Sequence, residues 1–186
     1  MENPIKISVS QSAMKHGLIL GAYTILTYGV FVLSIHIPVM NILALLLFLG
    51  IPVVAYIIQR LFRERNCPEF FPFSISWMLA LLTFLFKSVI GALAAYVYMR
   101  YLDHGALANA LITSFETIKP AYAESGINTD DLETLGSVIE SFQYITPGTF
   151  ARQIFETTLF WGNLLSIVIA ALTAKGSIRT FMNNNK

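Results

Sequence analysis

The chain has 186 residues, of which 55% are hydrophobic and only 12% charged, with a formal net charge of +1. Soluble domains are roughly 45–50% apolar and about 25% charged. The 23 Asp, Glu, Lys and Arg side chains here are therefore too few to cover a water-exposed surface of this size unless lipid solvates the rest. The same numbers exclude a disordered chain and count against a soluble enzyme, and the near-neutral balance offers no electrostatic footprint for nucleic acid.

No charged residue occurs from His16 to Gln59, a run of 44 residues. One helix needs about 20 to cross a bilayer, so two spans are folded into this run. The break falls at Ser34, Ile35, His36, Ile37 and Pro38, because proline disfavours a helical residue before it and cannot donate to the previous turn. The first span is predicted over 14–35. Its 19 uncharged residues from Gly17 to Ile35 exceed the core of a secretory signal, and no small-residue cleavage site follows, so it reads as a retained helix. The second is predicted over 39–58, kinked by Pro52 after Gly50 and ended by Arg60, Arg63 and Arg65.

The third span, predicted over 72–99, holds a single charge, Lys87, and is longer than a 30 Å core requires. Tyr96, Tyr98 and Tyr101 suit a membrane-water interface at its end. The segment 100–150 is then the only sizeable polar part. Leu107, Leu111, Ser114, Phe115 and Ile118 mark one helical face up to a stop at Pro120. Asp130 with Glu133 three residues later forms a capping box for a second helix, whose apolar positions are Leu132, Leu135, Ile139 and Phe142, and Pro147 with Gly148 ends the element. The two apolar faces are expected to pack on each other, lie on the membrane or receive a partner. The fourth span is predicted over 152–174, stopping at Lys175.

The expected fold is all-α: a polytopic membrane protein with four transmembrane helices and an extracytoplasmic helical insert between helices three and four. Basic residues set its orientation. Lys6 and Lys15 flank the N-terminal end of the first span, Arg60, Arg63 and Arg65 lie between the second and third, and Lys175, Arg179 and Lys186 follow the fourth. The connection between the first two spans has none, and the stretch from Arg100 to Arg152 carries seven acids against three basic residues. Both termini are therefore expected in the cytoplasm, with the chain in a bacterial inner membrane.

The layout resembles the domain-of-unknown-function 4199 family, small integral membrane proteins of Bacteroidota-type bacteria. The resemblance covers nearly the whole chain. It rests on Gly17-Leu-Ile-Leu-Gly21 opening helix one, an Arg-containing loop ending in Phe73-Ser74-Ile75, a third span ending in Tyr98 and Tyr101, the acidic helical insert, and Pro147-Gly148 before helix four. The loop here carries Pro68 and Pro72 where members have a Gly. The family supplies no catalytic or binding residues to carry over.

Lys87 is the costliest residue to place, since an ammonium in hydrocarbon loses a few kcal/mol on insertion scales. Glu156, near the outer boundary of the fourth span, is its candidate partner, with Arg152 one turn away as competitor. Asn163, Ser166 and Thr173 on helix four, with Thr24, Thr27 and Tyr28 on helix one, are candidates for bonds between helices. Gly17, Gly21, Gly91 and Gly162 sit in small-xxx-small stripes that permit close helix approach. Arg60, Arg63, Arg65, Lys175 and Arg179 set topology or meet anionic lipid. His16 lies at the opposite end from His36 and His104, and Cys67 is solitary, so no metal site, redox pair or cofactor motif is read. No catalytic constellation is found. The expected role is a non-enzymatic, partner-binding or complex-stabilising component in the lipid bilayer, meeting a membrane protein through 105–145 or a second copy of itself. The alternative is a small oligomeric transporter or channel using Lys87 and Glu156.

Overall fold

The computed structural model describes residues 9–67, 69–124 and 129–175, with the side chains of 123–124 and 129–131 outside that description. Six α-helices follow one another along these residues: α1 Val9–His36, α2 Met40–Asn66, α3 Phe73–Tyr101, α4 Ala106–Glu124, α5 Thr129–Ser141 and α6 Pro147–Thr173. A 3-10 turn, Phe142–Tyr144, links α5 to α6. α1, α2, α3 and α6 are each long and apolar enough to cross a membrane. The protein is thus an all-α, multi-pass membrane protein.

Several helix ends differ from the sequence reading: α1 starts at Val9 rather than near Met14, and three other ends shift for a clear local reason. α2 runs on past Ile58 to Asn66, because Gln59 to Asn66 contains good helix formers and an Arg60–Glu64 pair at i,i+4. α4 continues through Pro120 to Glu124. The carbonyl that Pro120 leaves unpaired belongs to Glu116, which is exposed and so open to water. α6 begins at Pro147 rather than near Arg152: Thr146 accepts a hydrogen bond from the Thr149 N–H at 3.2 Å, and a proline in the first turn has no N–H to waste. The residues read as a stop are a start. α5 already begins at Thr129, so Asp130 lies inside its first turn, and the side chain of the expected cap lies outside the described residues.

α3 is the hub, packed against α6 on one side and α1 on the other, while α2 closes the ring against α1 and, over a shorter stretch, α6. Glycines set the two main seams. A methyl group at Gly17 would run into Phe86 Cβ and stand 3.1 Å from the Thr83 carbonyl oxygen, and one at Gly162 would lie 2.8 Å from Phe84 Cβ. Gly21 faces Ile90, and Gly91 faces Thr24 and Tyr28 at ordinary contact distance. Where lipid supplies no hydrophobic drive, such close approach recovers dispersion energy between backbones. The core has two clusters: Leu20, Ile51, Ala55, Phe84 and Ile169 at mid-bundle, and Ala13, Phe71 and Leu79 toward the termini. Outward-facing positions are large and apolar along all four long helices, as a lipid-facing surface requires.

Candidate functional site

Lys87 stands at the middle of α3, on the stripe that also carries Ala80, Thr83, Gly91 and Ala95, and is 7% exposed. Three buried hydroxyls of α1 and α3 give their protons to their own helices: Thr24 to Leu20 O at 2.8 Å, Thr83 to Leu79 O at 2.8 Å and Ser88 to Leu85 O at 2.8 Å. Among the described residues, Lys87 has no ion-pair partner. Glu156 does not meet it. Its carboxylate takes the Arg152 guanidinium at 2.7 Å, one turn back on the exposed side of α6, because the i,i+4 partner is reached without turning a carboxylate into the bundle.

The polar residues read on α6 divide. Ser166 is fully buried and accepts a bond from the Trp77 indole N–H at 3.1 Å across the α3–α6 seam. Asn163 points the other way. Its side chain is exposed on the outer face of α6, and only its backbone oxygen is engaged within the chain, accepting from Ser166 Oγ at 2.6 Å. The two stand three residues apart, about 60° around the helix axis, so the edge of the α3–α6 seam falls between them, with Ser166 buried and Asn163 exposed.

A polar knot ties the terminus end together. The Gln59 carboxamide donates to Ser76 O at 2.8 Å, Ser76 Oγ at 2.7 Å and Thr173 Oγ1 at 3.1 Å, so one side chain joins α2, α3 and α6. Ser76 and Thr173 are themselves bonded at 2.7 Å. Beside it the backbones of Phe71 and Lys175 exchange bonds of 2.9 and 2.8 Å. Arg63 donates to the Thr173 carbonyl at 3.2 Å, placing a cation at the C-terminus of α6. Arg60 is paired with Glu64, Arg65 is exposed, and Arg179 lies outside the described residues. Gln59 and Ser76 escaped the sequence reading because Gln59 served only as the edge of an apolar run and Ser76 lies unremarked inside the third span. A glutamine facing inward at the last turn of a span is the signal that would have found them.

The opposite end carries the hairpin of α4 and α5. It hangs from a tight bend in which His104 and Gly105 have φ of 43° and 85°. Asp103, buried, holds the bend: its carboxylate accepts the N–H groups of Gly105 at 3.1 Å and Leu107 at 3.0 Å, and the Tyr98 hydroxyl bonds it as well. A crevice of about 190 Å³ lies between this bend and the returning Phe142, Gln143 and Ile145. In the hairpin, Phe115 and Leu132 are buried against each other's helices, and a methyl at Gly136 would stand 3.2 Å from the Phe115 ring. A groove of about 230 Å³ between α4 and α5 is edged by Glu116, Glu133 and Glu140, with the Lys119 ammonium 5.8 Å over the Phe115 ring. Ile118, Tyr122, Leu135 and Val138 remain exposed on the hairpin.

Replacing Asp103 with Ala removes two caps from the start of α4, a loss of about 0.5–2 kcal/mol borne by the hairpin. Amide hydrogen exchange is expected to quicken over 105–122 while exchange in α1 and α3 stays unchanged. Equal acceleration in all helices would mean that Asp103 supports the whole bundle.

Among the described residues, no group of three or more His, Cys, Asp or Glu is placed to hold a metal ion. Cys67 is partly buried, and burial pushes its thiol up, so it is predominantly protonated at neutral pH. In comparisons with known proteins, the family described as protein of unknown function (DUF4199) matches residues 15–175. No curated protein and no solved structure matches.

Proposed function

The chain belongs to the DUF4199 family, and on that premise we propose that it is a non-enzymatic docking component of the bacterial inner membrane, with the α4–α5 hairpin as its contact surface. The four long helices anchor it, and the excess of Lys and Arg at the terminus end orients that end to the cytoplasm. The hairpin then stands outside the cytoplasm. The observation that carries the reading is its composition of surface: Ile118, Tyr122, Leu135 and Val138 exposed on an acid-rich element that is not itself a span. Phe115 and Leu132 are the buried contacts of the hairpin with itself, and the exposed Ile118, Leu135 and Val138 leave an apolar surface for a partner. Acid on the same element disfavours an anionic lipid surface as that partner.

A photo-crosslinking residue at Tyr122 or Leu135 is expected to give a discrete heavier adduct in cells. The same residue at Leu45, exposed on the apolar face of α2, serves as the lipid-facing control. Leu135→Glu with Val138→Glu should abolish the adduct formed from position 122 and leave protein levels unchanged. Recovery of the uncrosslinked chain alone from both hairpin positions, across growth conditions, overturns the reading.

The second reading is a small oligomeric transporter or channel. What favours it is the burial of Lys87 inside the bundle. Glu156, exposed and paired with Arg152, contributes nothing to a path through that interior.

A further inference from the structure

Asn163 presents a carboxamide on the outer face of α6, ten residues before the end of the helix at Thr173. At 1.5 Å per residue that is about 15 Å from the terminus-end boundary, the middle of a hydrocarbon core about 30 Å thick. No water or headgroup reaches this depth, and an unbonded amide there is costly. Among the described residues nothing bonds the side chain, whereas Gln59, Ser76, Ser166 and Thr173, buried in the bundle, each hold partners. The partner of Asn163 therefore comes from outside the chain.

We infer that the outer face of α6 is an interface with a second copy of this chain, in which the two Asn163 carboxamides bond each other. A carboxamide is self-complementary, with N–H donors beside a carbonyl acceptor. Two copies inserted in the same orientation form a closed pair only about an axis along the membrane normal, so each residue meets its counterpart at equal depth. A foreign helix would need a polar group at that depth by coincidence. The surroundings suit such a seam. Glu156, Phe160, Asn163 and Ile167, spaced four, three and four, are all exposed, which is the spacing of a helix pair that packs knobs into holes. The small residues Gly162, Ser166 and Ala170 turn inward, Gly162 and Ser166 onto Phe84 and Trp77 of α3, so a close-packed small-residue contact is already taken. Glu156 does not oppose the contact, since Arg152 neutralises it at 2.7 Å.

The test uses full-length protein in phosphatidylcholine vesicles, with donor and acceptor fluorophores on C-terminal tags, and energy transfer followed as the protein-to-lipid ratio falls. Wild type is expected to dimerise. Asn163→Leu should weaken the dimer about threefold to thirtyfold, the range for a bond between helices in lipid, and Asn163→Gln should restore most of the association. Because Asn163 faces outward, Asn163→Leu is expected to unfold at the wild-type temperature in detergent dilute enough that both proteins are monomeric, where dimerisation adds no stability. Energy transfer unchanged in Asn163→Leu, or a monomeric wild type at every ratio, overturns the inference. So does a lowered unfolding temperature for Asn163→Leu, since it would mean the side chain serves the bundle.

Discussion

Gly17→Ala is expected to destabilise the bundle by about 1–3 kcal/mol, the cost of overpacking a close seam. The added methyl group lands on Phe86 Cβ, with the Thr83 carbonyl oxygen 3.1 Å away and the Lys87 amide nitrogen at 3.4 Å. Two of those neighbours are backbone and the third is the root of a side chain, so no rotamer change relieves the clash. α1 must move off α3. The same substitution at Gly29, also on α1, meets nothing within 4 Å and gains helix propensity, so it should stabilise by up to about 1 kcal/mol. Thermal unfolding of both variants in mild detergent reads the difference. Opposite signs support the seam. A Gly17→Ala variant as stable as Gly29→Ala would mean that α1 does not approach α3 as described.

Gln59→Leu is the second large effect. Gln59 is 4% exposed and is the one side chain seen to bond α3 and α6 from α2. Leucine keeps the volume but withdraws both N–H donors from the Ser76 carbonyl, the Ser76 hydroxyl and the Thr173 hydroxyl. Unsatisfied buried acceptors cost about 1–3 kcal/mol. The Ser76–Thr173 bond at 2.7 Å can re-form without Gln59, which keeps the loss toward the lower end. Gln59→Glu should be worse at neutral pH than Gln59→Leu, because a carboxylate faces the same acceptors with no proton to give, and acidification should recover part of its stability. Unfolding temperatures of the two variants at pH 7 and pH 5 test this. If Gln59→Glu and Gln59→Leu lose the same amount at both values, the donors of Gln59 are not what the knot depends on.

Lys87 and Glu156 show where reading along the chain reaches its limit. Depth along a helix follows from counting residues, and it placed Lys87 in the outer half of the bilayer and Glu156 near the outer boundary, within reach if Lys87 snorkels outward. Rotation about the axis does not follow from depth, and α6 turns Glu156 outward onto Arg152 while α3 turns Lys87 inward. Asn163 and Ser166 repeat the lesson three residues apart: both are polar residues in an apolar helix, and only the packing of α3 against α6 assigns one to the seam and the other to the outside.

By itself the sequence determined the number of spans, their order and the position of the helical insert. Those depend on lengths of uncharged chain and on where proline and basic residues fall, which are properties of the chain before it folds. It also nominated the glycines, since a missing side chain is visible without a partner. The tertiary structure decided which helix each glycine admits, which of the polar residues have neighbours, and that Gln59 rather than an ion pair joins three helices. The reason is physical. In a soluble bundle, the polar face of a helix announces which side is out. In lipid both sides of a helix are apolar, so periodicity carries little record of rotation, and the orientation of every span is set by close packing and by a few hydrogen bonds.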